Sequence, residues 1–533
     1  MSNKVKEKLK RLMGKPNLRF ASTDYAKSSG ALKVFVERHS SFLLNQHHLE
    51  KRSDNSPYSN AIAKMEPDYN FFNSDIYTRN PKQKAIFEYD NFHSGTPMEY
   101  RAFPGSMRAV KKVLKRKNLY WYPRSAGGYY AQQSIVDYLI REGFSPEPAN
   151  LKNGGHYDGI GVDNVVFACS TTHAYSLILS VIAEPGDIVL MTAPNYGLFA
   201  IISEMGNYRT ELLDLHEKDD WLVNPDALAK KIDTLNAELA SATGKKHRVA
   251  AFLNLNPHNP TGKVLNHKNI DVLRRMGEVC KERDVFVIDD LVYRDLTYDL
   301  NDLAVPLAIM PDFFDSTISL FGLSKAYGLA SFRAAVIVAP RAVAEVLAQK
   351  IHDTMDSMPV LQVASVSGAF NGSNRRYREY KKYMQKQIRE YQYRYELIYA
   401  LVYGVKKIKD LKKRRSILRT IDRYVKASAD RNILYAGCKN LKIRAGTEPE
   451  SGFFTVFDFT ELKGKLTPFG NKIKSERDLL EYFFKSGGLT YLMGGNICWP
   501  KSEEMVGRIS FGISRKAIVQ NMLLMNKAIR KLK

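Results

Sequence analysis

Cysteine is scarce in this chain: four thiols, Cys169, Cys280, Cys438 and Cys498, stand far apart in 533 residues. That spacing excludes a dense disulfide framework and paired metal ligands, and it reads as buried free thiols. Long apolar runs are missing as well. No stretch approaches the roughly eighteen uninterrupted apolar residues of a membrane span, and the opening residues MSNKVKEKLKRLMGKPNLRF lack the apolar centre of a secretion signal. The cytoplasm is the expected compartment. No internal repeat is evident. Acidic residues are in deficit: 80 Lys and Arg against 56 Asp and Glu give a net charge of +24. That balance favours anionic ligands, whether a phosphorylated cofactor, a carboxylate substrate, nucleic acid or an acidic partner.

From Met1 to about Asn80 the chain is polar and irregular, with the cluster SDNSPYSN, and reads as an extension with partial helical order and no helix-turn-helix pattern. SMRAVKKVLKRK and YYAQQSIVDYLIREGF then carry helical periodicity, separated by the aromatic loop YWYPRSAGG. After Gly155 short β-branched runs alternate with helical segments. VDNVVFACS leads into the helix TTHAYSLILSVIAE, and DIVLMTAP, RVAAFLNLN, VFVIDD, DSTISLFG and ASFRAAVIVAP repeat the strand pattern. Such alternation predicts a wound α/β domain with a mostly parallel sheet. From Asn371 a long charged tract predicts a helix leading into a second domain, and KDLKKRRSILRTIDRYVKASADR continues it with nine Lys or Arg against three Asp. This basic insertion reads as a solvated helical hairpin in preference to a site for an acidic partner or a membrane surface. ESGFFTVFDF and GRISFGIS restore strand patterns.

The chemistry gathers around Lys325, in a turn of small residues within SLFGLSKAYGLASFR, where Ser324 precedes it and Arg333 follows. Asn259 stands in the proline-rich turn NPHNPTG that ends a strand. Thirty-one residues later Asp290 closes VFVIDD, with Tyr293 three residues on, and Lys325 follows after thirty-five more. Ser170, Thr171 and Thr172 open a helix directly after a strand, where backbone N–H groups and hydroxyls can take up a phosphate or merely cap the helix.

The order of these groups resembles the pyridoxal-phosphate-dependent aminotransferase class I and II family, from about Tyr89 to the C-terminus. The resemblance implies a fold type I α/β architecture: a large domain with a mainly parallel sheet flanked by helices, plus a smaller α+β domain. The expected divisions are an N-terminal extension and arm over 1–98, the cofactor domain over 99–366, and the small domain over 367–533 with the basic insertion near 405–437. It implies that Lys325 forms a Schiff base with pyridoxal 5'-phosphate and serves as the base that moves the substrate α-proton. Asp290 would keep the pyridine nitrogen protonated, with Asn259 and Tyr293 bonding the phenolic oxygen. Ser170, Thr171, Thr172, Ser324 and Arg333 would hold the phosphate, and Tyr196 would stack on the ring. Tyr122, with Tyr120 competing, would reach a neighbouring subunit's phosphate, which implies a homodimer or higher homo-oligomer.

Arg508 would grip the substrate α-carboxylate in a two-pronged bond, and Gly95 would close over the substrate beside Asn259. Lys325, Asp290 and Tyr293 are thus the candidate catalytic residues. A distal substrate carboxylate could be met by Arg79, Arg101, Arg124 or none of them. The sequence departs from the common pattern at Leu291, Gly322, Ser331 and Ser170. No metal is expected, because His173 and His258 have no partner at ligand spacing and read as loop or capping residues. The partners implied are an amino acid and a 2-oxo acid, with no membrane and no nucleic acid. Transamination is the first expectation for the reaction. A lyase, resembling an aspartate 4-decarboxylase or an aminocyclopropane-carboxylate synthase, is the second, and a regulator with an aminotransferase-like domain is the third.

Overall fold

The β-branched runs become a seven-stranded sheet in the computed structural model, which describes residues 91–533 apart from 96, 98, 99, 120, 121, 123–126, 146–158, 243–246, 372, 373 and 502. Residues 1–90 of the expected N-terminal extension and arm, Arg79 among them, lie outside the described residues, as do Tyr120 and Arg124. The strands are β1 (Val165–Ala168), β2 (Ile188–Ala193), β3 (Arg209–Asp214), β4 (Val249–Leu255), β5 (Phe286–Asp290), β6 (Thr317–Gly322) and β7 (Ala335–Val338). Their spatial order is β1-β7-β6-β5-β4-β2-β3. The pairs from β6 through β5, β4 and β2 to β3 are parallel, and β7 runs antiparallel to both β6 and β1.

Interior strands of such a sheet are covered on both faces, which is why their sequences are apolar at nearly every position. Successive residues nevertheless serve different layers. Val189 and Met191 of β2 join one apolar core, while Ile188 and Leu190 join the opposite one with Leu228 and Ile232 of α5 (Pro225–Ala242) and Leu273 and Met276 of α6 (Ile270–Lys281). Each fully buried aliphatic side chain of this kind stabilises the fold by about 1.5–3 kcal/mol. β3 is a strand the sequence reading does not include. RTELLD lies at the sheet edge, mostly exposed or half-buried, so its charges are solvated and its apolar signal is weak.

Around the sheet lie α1 (Pro104–Leu114), α2 (Tyr129–Arg141), α3 (Thr171–Ile182), α4 (Leu198–Met205), α7 (Arg341–Met355) and α8 (Val360–Ala369). The tract from Asn371 yields α9 (Asn374–Tyr403), 30 residues long. Its stripe Tyr380, Met384, Gln387, Tyr391 and Arg394 is buried at helical spacing. The basic insertion forms two helices, α10 (Leu411–Tyr424) and α11 (Ser428–Ala436). Asp410 caps α10 by accepting from the Lys412 and Lys413 N–H groups. Ile417 and Ile421 are buried, whereas Lys412, Arg415, Arg419 and Arg423 are exposed along the other side.

A second sheet, ordered β10-β11-β9-β8, is antiparallel throughout. It comprises β8 (Lys442–Ile443), β9 (Phe454–Asp458), β10 (Leu492–Met493) and β11 (Val506–Ser510), packed with α12 (Glu476–Gly487) and α13 (Arg515–Arg530). All four cysteines are free thiols. Among the described residues no helix is long and apolar enough to cross a membrane, and no group of three His, Cys, Asp or Glu could hold a metal ion.

Candidate functional site

Parallel strands direct their carboxyl ends to one edge of the sheet, and the loops that leave them build a crevice there. Here that crevice is a cavity of about 560 Å³. Asp290 arrives as the last residue of β5, Asn259 from the turn after β4, Thr171 and Thr172 from the start of α3, and Ser324, Lys325 and Arg333 from the segment after β6. Arg508 enters from β11 of the second sheet, and Gly95 from the segment ahead of α1. Tyr196 and Tyr293 complete the set of expected residues that line the cavity.

Lys325 donates from Nζ to the Gly95 carbonyl at 2.6 Å. Burial, then the positive charges of Arg508 and Arg333, lower its amine to about 8, with Asp290 opposing. Asp290 is 4% exposed, and its Oδ1 accepts from the Val292 N–H at 3.0 Å. Burial is the main cause that raises this carboxyl to about 7; the Asp289 charge adds to it, while the Val292 N–H and Lys325 hold it down. Asp289 points elsewhere. It accepts from Asn254 Nδ2 and from the Leu307 N–H, each at 2.9 Å, and ties β5 to its surroundings away from the cavity.

A carboxyl that keeps its proton in the fold loses part of its contribution once the pH passes its unfolded value. Asp290 releases its proton near about 3.9 in the unfolded chain but only at about 7 in the folded one. Between those values Asp290 binds its proton more fully in the folded protein than in the unfolded chain, so its contribution to stability falls as pH rises from about 4 to about 7. Asp289, raised to about 6 by burial, acts in the same sense. His93 and His258, each lowered to about 4 by burial, act in the opposite sense between about 4 and about 6.5. The Asp290 contribution is therefore read as a difference: the thermal midpoint of cofactor-free Asp290→Asn should rise relative to that of the unsubstituted protein as the pH goes from about 4 to about 7. A difference that does not change across this window would contradict a protonated Asp290.

Arg508 is 2% exposed and lies 4.1 Å from the centre of the Phe454 ring. It donates through Nη1 to Asn259 Oδ1 and through Nη2 to the His93 carbonyl, both at 3.2 Å. Burial raises the Tyr293 and Tyr196 hydroxyls above the usual phenol range. Tyr293 packs edge-on against Phe453 and Phe454, and Tyr196 edge-on against Phe199. Arg333 is exposed, with a left-handed backbone at φ 53° and Nη1 donating to the Ala330 carbonyl at 3.0 Å.

Two expected residues stand apart. Ser170 does not line the cavity; its Oγ accepts from the His173 N–H at 3.0 Å and caps α3. Tyr122 is 83% exposed and lies away from the cavity of its own chain. Arg101 lines a separate cavity of about 470 Å³ with Lys386 and Arg394. His258 is buried between the Thr192 and Thr261 hydroxyls, at 3.2 and 2.8 Å. The His173 ring accepts from the Cys169 N–H at 3.2 Å.

Gly322 has a spatial reason. A Cβ there would come within 2.8 Å of both Thr171 Cγ2 and Val292 Cγ2, two stiff β-branched neighbours that line the cavity. A serine at this position would push Thr171 outward. Gly322→Ser should thus weaken cofactor binding several-fold, read by fluorescence titration of the cofactor-free protein; unchanged binding would show that the loop yields freely. Gly328, at φ 62°, sits where a side chain would strain the turn after Lys325.

Wall residues beyond the expected set are His93, Leu198, Phe199, Leu255, Pro257, Val292, Ala330 and Leu492. His93 had a usable signal, being two residues before Gly95. Its ring meets Thr490 Oγ1 at 2.6 Å, and burial, with Arg508 second, lowers it to about 4, so it is neutral at ordinary pH.

The residues present fit a planar, phosphorylated pyridine aldehyde. A lysine amine and a buried carboxyl face one cavity, and the carboxyl forms no ion pair with a described residue. The first turn of the 12-residue α3 opens beside them with two threonines and an arginine nearby.

The model of the family described as aminotransferase class I and II matches residues 147–410. An LL-diaminopimelate aminotransferase from Nitratidesulfovibrio vulgaris is 25% identical over 291 residues, 54% of this chain and 67% of that protein. The cystathionine beta-lyase PatB of Bacillus subtilis is 24% identical over 233 residues, 43% of this chain and 57% of the relative. The alignments thus span only part of the curated relatives' own length. The solved aspartate aminotransferase from Rhizobium meliloti shares the fold with a TM-score of 0.62 at 18% identity, covering 83% of this chain and 91% of that one. Over residues 147–410 the chain belongs to the aminotransferase class I and II family, whose enzymes in general depend on pyridoxal phosphate.

Proposed function

We propose that the cavity binds pyridoxal 5'-phosphate and that the protein moves an amino group between an amino acid and a 2-oxo acid. The observation that carries this reading is the meeting of Lys325, Asp290 and Arg508 in one cavity. When bound, the cofactor supplies an aldehyde that takes up the amino group and a ring that accepts the electron pair released at the substrate α-carbon.

Asp290 would hold a proton shared with the ring nitrogen, and Tyr196 would cover one ring face and exclude water. Asn259 and Tyr293 would face the phenolic oxygen. Thr171, Thr172 and Ser324 would donate hydroxyls to the phosphate, Arg333 would neutralise it, and Ser170 would act only through the helix it caps. Arg508 would take the substrate carboxylate through two nitrogens, its planar group already oriented by Asn259, His93 and the Phe454 ring.

An amine lowered to about 8 is neutral in a larger fraction of molecules at ordinary pH than a solvated lysine. Neutral Lys325 would take up the α-proton of the bound substrate at Nζ and hold it for return. One water would be consumed as the first 2-oxo acid leaves, and the second 2-oxo acid would take up the amino group by the same steps in reverse. The exposed Tyr122 suits a role outside its own subunit, and we take the working unit to be a homodimer.

Screening amino donors against the cofactor-loaded protein tests the reading. A donor that bleaches the bound-cofactor absorbance, with the absorbance restored by a 2-oxo acid, supports amino transfer. Release of ammonia, carbon dioxide or a thiol without use of a 2-oxo acid would favour the lyase reading, which the cystathionine beta-lyase relative keeps in view.

A further inference from the structure

The turn that carries Lys325 is bonded to the rest of the protein at three points beyond the lysine itself. The Ala326 carbonyl accepts from Gln387 Nε2 of α9 at 2.8 Å, and the Tyr327 carbonyl from the Phe103 N–H at 2.9 Å. Tyr327 then donates its hydroxyl to Asp295 Oδ2 at 2.8 Å, and Tyr380 of α9 donates to Asp295 Oδ1 at 2.7 Å. Asp295 lies two residues past Tyr293, on the segment that leaves Asp290. One carboxylate therefore joins the lysine turn, the segment that leaves Asp290, and α9.

We propose that Asp295, Tyr327 and Tyr380 are positioning residues that hold the Lys325 turn in register with the Asp290–Tyr293 segment. This rests on the function proposed above. None of the three lines the cavity, so they act through Lys325 and Asp290.

All three are deeply buried, at 5%, 0% and 6% exposure. A buried carboxylate is costly in a low-dielectric interior, and an apolar group of similar volume would pack there without that cost. What the carboxylate supplies is direction: two hydroxyl donors on two elements meet one rigid planar acceptor. Arg294, 3.6 Å from Asp295 Oδ1, is bonded to Glu142 at 2.6 Å and to the Tyr138 hydroxyl at 3.0 Å. The charge is compensated while both Asp295 oxygens remain engaged with the tyrosines. Reaction geometry is sensitive at this scale, since a misplacement of about 1 Å can cost about a hundredfold in rate.

The test uses Asp295→Asn, Tyr327→Phe and the double variant in the cofactor-loaded protein, beside the unsubstituted one. Asparagine keeps the volume but offers one acceptor oxygen, so one tyrosine hydroxyl loses its acceptor and faces an N–H donor instead. Phenylalanine removes only a hydroxyl. Three quantities are measured: affinity of the cofactor-free protein for pyridoxal phosphate by fluorescence, the pH midpoint of the bound-cofactor absorbance, and kcat with KM for the 2-oxo acid.

The groups facing Lys325 are Asp290, Arg333, Arg508 and the Gly95 carbonyl, and neither substitution alters them. Tyr327→Phe removes no charge, so a moved pH midpoint in that variant reports displacement of the lysine, whereas in Asp295→Asn the lost negative charge contributes as well. The expected result is a midpoint shift in both variants, a fall in kcat of about tenfold or more with KM within about twofold, and a double variant no worse than Asp295→Asn alone. If Asp295→Asn does not fold, Tyr327→Phe decides. Wild-type midpoint, affinity and kcat in a folded Tyr327→Phe would overturn the proposal and leave Asp295 a stability element. An unsubstituted protein that neither binds pyridoxal phosphate nor transfers an amino group would instead overturn the function and this inference with it.

Discussion

Lys325→Ala should give a folded protein that retains no pyridoxal phosphate after borohydride reduction and denaturation, whereas the unsubstituted protein retains one equivalent at Lys325. Among the described residues, Lys325 is the lysine that lines the cavity. Loss of its proton transfer alone should lower amino transfer by about 10²–10⁴-fold. Loss of the anchored cofactor adds to this. Folding should survive, because the site disfavours the ammonium: burial and two arginines lower the amine to about 8. Alanine removes that unfavourable charge at the expense of one hydrogen bond to the Gly95 carbonyl. Mass spectrometry of the reduced protein checks the outcome. A cofactor adduct at undiminished yield in the variant would place the attachment elsewhere.

Arg508→Ala should produce a different defect, with cofactor retained and substrate lost. The guanidinium is 2% exposed and held flat by Asn259, the His93 carbonyl and the Phe454 ring, so a carboxylate meeting it would be largely shielded from water. Truncating one partner of such a charge pair costs about 2–5 kcal/mol, or about 30- to 5,000-fold in kcat/KM. Amino acids and 2-oxo acids should suffer alike, because both carry the same carboxylate. Arg508→Lys should recover only part of the loss, since an ammonium keeps the charge but not the planar fork. Steady-state kinetics on both variants, with borohydride-fixed cofactor measured in parallel, separates this from the Lys325 defect. A kcat/KM within about threefold of wild type in Arg508→Ala would remove Arg508 from substrate binding.

Much of the site could be read from the order of residues because strand ends fix it. Asn259 and Lys325 follow β4 and β6, and Asp290 ends β5 between them, neighbours in the sheet, so sequence order became spatial adjacency with little intervening freedom. Arg508 was readable for another reason, as an arginine within a short apolar strand. Features set by packing were not readable. That Ser170 turns its hydroxyl to its own helix, and that Thr171 and Val292 fill the space a side chain would need at Gly322, depends on neighbours far away in sequence. The Asp295 bridge needs Tyr380 from α9, 85 residues on, and a sequence pattern shows α9 only as a charged helix. The same helix, with α10 and α11, also shows why composition alone misleads: the basic tract buries Ile417, Ile421 and Leu434 and is packed rather than wholly solvated.

The most direct test of the account is transfer of the nitrogen itself. The purified protein, loaded with pyridoxal phosphate, is given a panel of 15N-labelled amino acids together with an unlabelled 2-oxo acid. For at least one donor the label should appear in the new amino acid, mole for mole with the donor's own 2-oxo acid, and Lys325→Ala should abolish it. Label appearing only as ammonia, with the 2-oxo acid unconsumed, would contradict it.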